Sequence, residues 1–161
     1  MKKQLLISIF VFLNLLTYAQ CGLVISTRAD GTKTFATIPK MIGHNNKNIQ
    51  AGLSLESNNS SDFIGLTLRF KYHAVKLKDE IYVTLMNNKV IIAKLINCTT
   101  TNLGGSEVSL GIYQLSETDL NNLGASEIKK IKFTFVTNIS EEVLVSANSD
   151  CLKSVINCLT K

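Results

Sequence analysis

The run Ile64-Gly65-Leu66-Thr67-Leu68-Arg69-Phe70-Lys71-Tyr72-His73 decides the fold class. Its even positions are apolar and its odd positions small, polar or charged, and a period of two is the mark of a half-buried strand. Such a strand sends Ile64, Leu66, Leu68, Phe70 and Tyr72 to a core and wets Arg69, Lys71 and His73. The same signal recurs on both sides. Residues 81–86 and 90–96 are rich in β-branched side chains and flank Asn87-Asn88, a hairpin signal because asparagine tolerates the positive φ of a tight turn. Asp30-Gly31 reads as a similar turn between residues 23–27 and 34–38. Val108, Leu110 and Ile112 form another alternating set, and Ile131, Phe133 and Phe135 a last one, with Lys130, Lys132 and Thr134 outward.

Loops and helices fill the intervals. Residues 40–48 are polar and asparagine-rich and read as a loop around Gly43; residues 57–61 read as a second. Ser116-Glu117-Thr118-Asp119 caps a first helical turn leading into Leu120 and Leu123, with Gly124 as its end. A C-terminal helix starts at Asn148 or Ser149 and carries Leu152, Val155, Ile156 and Leu159 as one apolar stripe, suited to lie on a sheet. About eight strands and two short helices make a mainly β domain: an antiparallel β-sandwich or a strongly bent sheet with the C-terminal helix packed on it, with a half-open β-barrel as the alternative.

The chain begins as an exported protein does. Lys2 and Lys3 precede an apolar run from Leu5 to Leu16, and Thr17-Tyr18-Ala19 puts small residues at the minus-three and minus-one positions of a signal peptidase site. The apolar run is shorter than the roughly 20 residues a membrane span needs. Residues 1–19 are therefore read as a secretory signal peptide and 20–161 as one β-rich domain, located in the periplasm, at the cell surface or outside. Lipid attachment at Cys21 is the rival, the one route by which this chain would meet a membrane, but Gln20 stands where a lipobox wants a small residue. Cleavage leaves 142 of the 161 residues, enough for a core of its own. Losing Lys2 and Lys3 lowers the formal charge from +5 by two, to +3, an ordinary solubility charge that argues against a dedicated nucleic-acid binder.

Cys21, Cys98, Cys151 and Cys158 all survive cleavage, and in an oxidising compartment an even count makes two disulfides an expectation, with three connectivities. Cys151 and Cys158 stand seven apart in the last helix, about 10 Å along its axis, beyond the roughly 7 Å of a disulfide. Each would then reach out to Cys21 or Cys98; buried thiols are the competing reading. No close Cys-x-x-Cys or Cys-x-x-His pair supports zinc.

Catalytic signatures are missing. The histidines are His44, in Ile42-Gly43-His44-Asn45, and His73, beside Tyr72; neither sits in a catalytic motif, and there is no Gly-x-Ser-x-Gly elbow. Asp79-Glu80 precedes a strand and Glu141-Glu142 sits in a turn, and adjacent strand residues point to opposite faces, so neither pair converges on a substrate. Residues 58–62 are a faint calcium candidate. Gly104-Gly105 lacks the Gly-Lys-Ser/Thr ending of a phosphate loop and reads as a strand connection, so no cofactor is expected. Asn58, Asn59, Asn97 and Asn138 open Asn-x-Ser/Thr triplets, which matter only in a eukaryotic host. Arg69, Lys71, Lys130 and Lys132 would form a basic patch for an anionic partner if their strands are neighbours; a solvated sheet face is the plainer reading.

The signal ending Tyr18-Ala19-Gln20 resembles those of Bacteroidota. The stretch from Tyr113-Gln114-Leu115-Ser116 to Ile128-Lys129-Lys130-Ile131 is similar to one in small uncharacterised exported proteins of the same phylum, and that resemblance implies no activity. The expectation is an exported, non-catalytic binding or accessory module, with an anionic ligand or a protein as partner. A structural subunit assembling by sheet edges is the alternative, and a small hydrolase dependent on His44 or His73 a third.

Overall fold

Sequence alternation becomes extended chain almost everywhere it occurs. The computed structural model describes residues 22–27, 31, 33–58 and 60–159; the segment read as a signal peptide, together with Cys21, Asp30 and Asn59, lies outside them. The strands are β1 (Leu23–Thr27), β2 (Lys33–Thr37), β3 (Lys40–His44), β4 (Gln50–Asn58), β5 (Asp62–Phe70), β6 (Leu77–Leu85), β7 (Val90–Leu103), β8 (Ser106–Leu115), β9 (Ile128–Phe135) and β10 (Ser140–Leu144). Helix α1 (Glu117–Ala125) separates β8 from β9, and α2 (Cys151–Leu159) follows β10.

All pairings are antiparallel and belong to one sheet ordered β1-β2-β4-β5-β8-β7-β6-β9-β10, with β3 beside β4. The sheet bends until its two sides meet. The N–H groups of Ser146 and Ala147, just past β10, donate to the Ile42 carbonyl of β3 at 2.8 and 3.1 Å. No ladder joins β3 to β10 among the described residues, so the sheet is strongly curled and not closed into a barrel.

Register decides which face is buried. Ile64, Leu66 and Leu68 of β5 stand opposite Tyr113, Gly111 and Ser109 of β8, and all six are at most 1% exposed or classed as buried. Each fully buried leucine or isoleucine contributes about 1.5–3 kcal/mol, so this pair of strands alone fixes the fold's inside. Gly111 is small for a reason: a Cβ there would stand 2.7 Å from Tyr113 Cε2 and 2.8 Å from Leu77 Cδ1. Ile131, Phe133 and Phe135 point inward as expected. Val108, Leu110 and Ile112, the other alternating set, occupy the outer face, where Val108 is covered between its partners Arg69 and Thr101.

Several local expectations change. Residues 40–44 form a strand, not a loop, because Ile42 is an inward residue with no exposure and Gly43 admits the β10 side: its added Cβ would meet the Leu144 carbonyl oxygen at 2.6 Å. Tyr72 is 71% exposed, since β5 ends at Phe70 and the chain bends away. β7 runs on to Leu103 past a register shift between Leu95 and Asn97, which puts the threonine run in a strand. Gly104 and Gly105, at φ +58° and +77°, make the tight β7–β8 turn. Asn88 (φ 65°) does the same for β6–β7, as its sequence suggests.

Helices close one end of the curl. Ser116 caps α1 in a reciprocal box with Asp119, its Oγ accepting the Asp119 N–H at 3.2 Å. Gly124 lies inside α1 rather than ending it; its missing side chain lets α2 approach, since a Cβ would stand 2.9 Å from Ile156 Cγ2. Leu152 and Ile156 of α2 are buried, Val155 is half-buried, and the helix lies against β4 and α1. The Met86 N–H donates to the Glu127 carbonyl, tying the end of α1 to the β6–β7 turn, and the Ile128 N–H donates to the Ser149 carbonyl, tying the approach to α2 to β9. The opposite end, ringed by residues 45–49, 71–76 and 136–139, carries no helix among the described residues.

Candidate functional site

The helix-free end holds a hollow of about 490 Å³. Four elements build it: the β3–β4 turn, the end of β5 with its connector to β6, the end of β9, and the start of β10. Ile49, Phe70, Val75 and Phe135 make an apolar floor. Phe70 and Phe135 meet at 5.9 Å between ring centroids, and Phe135 meets Phe133 edge-on at 5.4 Å, so the floor continues the core. Three bonds hold the connector and the start of β6: Ser109 Oγ donates to the Val75 carbonyl at 2.7 Å, the Val136 N–H to the Lys76 carbonyl at 3.0 Å, and the Leu77 N–H to Cys98 Sγ at 3.2 Å.

The rim is polar and organised around Asn45, which is 8% exposed. Its side-chain oxygen accepts the Lys47 and Ile49 N–H groups, both at 3.0 Å, and its amide donates to Glu141 Oε2 at 3.1 Å. Glu141, only 10% exposed in its side chain, also pairs with the Lys47 ammonium. Each oxygen of that carboxylate therefore has a partner, Oε1 in Lys47 and Oε2 in Asn45. Lys71 stands with its Nζ 5.2 Å from the centre of the Tyr72 ring, and it is in none of the ion pairs among the described residues. His73, Thr137 and the exposed Ile139 complete the edge.

A second hollow, about 520 Å³, lies between the β1–β2 side and α2 and includes Lys40, Asp150, Cys151 and Ser154. Its charges balance, Lys40 against Asp150, whose carboxylate also accepts from Ser154 Oγ at 2.8 Å. Burial pushes the Cys151 thiol up to about 11, so at neutral pH it is no nucleophile. The hollow at the open end has the unbalanced charge, Lys47 and Lys71 against Glu141.

The basic residues singled out from sequence are not one patch. Arg69 lies on β5 and Lys71 just beyond it, while Lys130 and Lys132 lie on β9, with β8, β7 and β6 between. Lys130 is paired with Glu142 at 2.8 Å. Lys71 alone of the four reaches the hollow. Glu141 and Glu142 sit in β10, not in a turn, and their opposite facings send one to Lys47 and the other to Lys130. Asp79 and Glu80 lie within β6, at a register shift where Asp79 takes φ 56°. His44 ends β3, exposed and away from the hollow's lining; His73 is on the rim.

Cys98 and Cys151 are free thiols, which corrects the expectation of two bridges: Cys98 is committed to the Leu77 N–H and Cys151 is half-buried at the start of α2. Cys158 is half-buried near the end of α2, and Cys21 lies outside the described residues. No cluster of three or more metal-ligating side chains occurs among the described residues. Sequence reasoning missed Asn45, Lys47 and Phe70's role in a hollow, because only the curl brings 45–49, 71–76 and 136–141 together. One signal was available: Asn45-Asn46 followed by the β-patterned run from Ile49 fits an Asx-type turn, in which a side chain bonds the backbone two residues on.

No family model matches this chain, and no curated protein matches it. Among solved structures, the crystal structure of invasion associated protein B from Bartonella henselae is similar over 87% of this chain and 95% of that one, at 12% identity and a TM-score of 0.40.

Proposed function

We propose that this protein is an exported, non-catalytic binding module that holds a small ligand in the hollow at the open end of its sheet. One observation carries the reading: an apolar floor of Ile49, Phe70, Val75 and Phe135 lies under a rim bearing Lys47, Lys71 and His73. Small-molecule sites are concave, of about 300–1,000 Å³, apolar within and polar at a few points. Amide shift mapping against a library of small acids, bases and neutral compounds tests it. Shifts confined to 45–49, 71–76 and 135–141 support the module; ligands that perturb only other regions, or none at all, overturn it.

Export rests on residues 1–19, and it brings an oxidising compartment with one bridge, Cys21 to Cys158. With Cys98 and Cys151 free, this is the pairing left among the four cysteines. Gly22 lines the same hollow as Cys151, Leu152 and Val155, which brings the neighbour of Cys21 to α2. A bridged Cys21 takes no acyl chain, so the module works free of the membrane. Intact mass from the native host decides this. A chain starting at Gln20, with two thiols alkylated before reduction and four after, supports the assignment; acyl mass on Cys21 refutes it.

A second reading, assembly by sheet edges, is favoured by β1. This edge strand, Leu-Val-Ile-Ser-Thr, carries no charge and exposes Val24 (54%) and Ile25 (43%), the composition that pairs with another strand. Light scattering at rising concentration would show oligomers abolished by Ile25→Lys if it holds, and a monomer throughout if it does not.

A further inference from the structure

We infer that the occupant of the open-end hollow is a free single-chain amphiphile with an anionic head, of the kind represented by a medium-chain carboxylate. The inference rests on the binding-module reading above and specifies its ligand.

Charge selects the head. Around the hollow the ionisable groups are Lys47, Lys71, His73 and Glu141. Glu141 is consumed by the Lys47 ammonium and the Asn45 amide, which leaves no carboxylate facing Lys71. A carboxylate head brought to the rim meets one uncompensated ammonium, with the His73 imidazole beside it as a second donor. A cationic head meets the Lys71 ammonium there with no open carboxylate to offset it. Lys71 lies on the hollow's lining, with its Nζ 5.2 Å from the centre of the neighbouring Tyr72 ring.

Burial selects the tail. Phe70 and Val75 are half-buried and form the open part of the floor, Ile49 and Phe135 being already covered by the core, and these side chains offer no hydrogen-bonding group for a polar ligand to satisfy. At the edge, Tyr72 and Ile139 are 71% and 51% exposed, large apolar side chains left in water beside a cavity. A flexible chain entering between them would cover both, whereas a compact anion such as phosphate would cover neither. Anionic head and apolar tail are thus called for by adjacent parts of one site.

The test is a titration of the exported chain by calorimetry with hexanoate, octanoate and decanoate, with decanol, and with decyltrimethylammonium, all below their aggregation limits. Each added methylene should tighten Kd about two- to fourfold until the hollow is filled. Decanoate should bind about tenfold more tightly than decanol, and the cation not measurably, with the difference shrinking as salt is raised. Lys71→Ala should weaken decanoate about tenfold and leave decanol unchanged. Ile139→Glu, at an exposed position where folding is not at risk, should weaken decanoate most, by lost tail contact and a like charge, and decanol less, by lost contact alone; Val75→Trp should block both. Equal affinity for decanoate and decanol, with Val75→Trp still blocking, would overturn the anionic class and leave the module standing. No binding of any chain, or binding indifferent to Val75→Trp and Ile139→Glu, would sink both. Sedimentation with phosphatidylglycerol vesicles, without binding of free decanoate, would replace the free amphiphile by a membrane surface.

Discussion

Replacing Asn45 with alanine removes a buried polar side chain that shapes the rim of the open end. Three bonds go with it: the acceptor for the Lys47 and Ile49 N–H groups and the donor to Glu141. Their costs differ. The Lys47 N–H is near solvent and can take water, so its loss is small. The Ile49 bond is buried, and an unsatisfied buried donor costs about 1–3 kcal/mol. The amide's bond to a carboxylate that is 10% exposed adds about 1–1.5 kcal/mol, the net worth of a hydrogen bond to a charge reduced by the Lys47 partner that stays. The sum is about 2–4 kcal/mol, or a fall in Tm of about 5–12 °C for a domain of this size. Urea denaturation with a common m-value is the assay. Asn45→Asp is the companion: it keeps the acceptor for both N–H groups and sets a second carboxylate against Glu141. Its deficit should be large at neutral pH and shrink as acid protonates one of the two. A loss below about 0.5 kcal/mol in Asn45→Ala would refute the assignment of Asn45 as the organiser of the rim, on the scale of ordinary surface substitutions.

Three further perturbations test separate parts of the fold. Gly43→Ala forces a Cβ onto the Leu144 carbonyl at 2.6 Å, a backbone contact with no flexible end to yield, and should cost about 2–4 kcal/mol by calorimetry; a neutral result would show that β3 and β10 do not approach. Tyr113→Phe removes a hydroxyl that is buried without a hydrogen-bond partner and should change stability by no more than about 1 kcal/mol, in either direction; a larger loss would reveal a partner for that hydroxyl. Cys151, with its folded pKa pushed from 9.0 up to about 11 by burial, stays protonated in the folded state, so its contribution to stability is present below pH 9 and lost as pH rises toward 11; its alkylation rate should climb about tenfold per pH unit across pH 7–10, and a plateau near pH 9 would refute the shift.

What could be read from the sequence was whatever one strand specifies by itself. Ile64–Leu68 and Ile131–Phe135 give their inward faces by alternation, and Ser116 with Asp119 gives a cap within four residues. The errors arise where a distant segment decides. Gly43 and Asn45 look like loop chemistry until Leu144 and Glu141, about a hundred residues on, are set beside them. Tyr72 continues the alternation of β5, yet the strand stops at Phe70 because the connector must turn under β8 to reach Ser109 and Cys98. The outward basic residues look alike on paper, but three strands separate β5 from β9, and no local pattern encodes sheet order. For the same reason the hollow was illegible: its lining comes from residues 47–49, 70–75 and 135–141.

The two ends of the curled sheet are held by different physics, and that division bears on function. At the helix end, Leu123, Leu152 and Ile156 are buried and the glycine at 124 permits close helix contact, so a change there is paid in core packing. At the open end the core continues through Ile49 and Phe135, and a few directed bonds fix the backbone around it: Asn45 to two N–H groups and Glu141, Ser109 to Val75, and Cys98 to Leu77. Directed bonds fix backbone without filling volume, and a site that must admit a ligand needs both. The exposed rim residues Lys71, Tyr72, His73 and Ile139 make few of those bonds, so they can vary with little effect on folding while changing what the hollow accepts. Substitutions at these four positions should therefore shift ligand preference with stability changes near the roughly 0.5 kcal/mol of surface sites, whereas substitutions at Asn45 or Ser109 should lower both together.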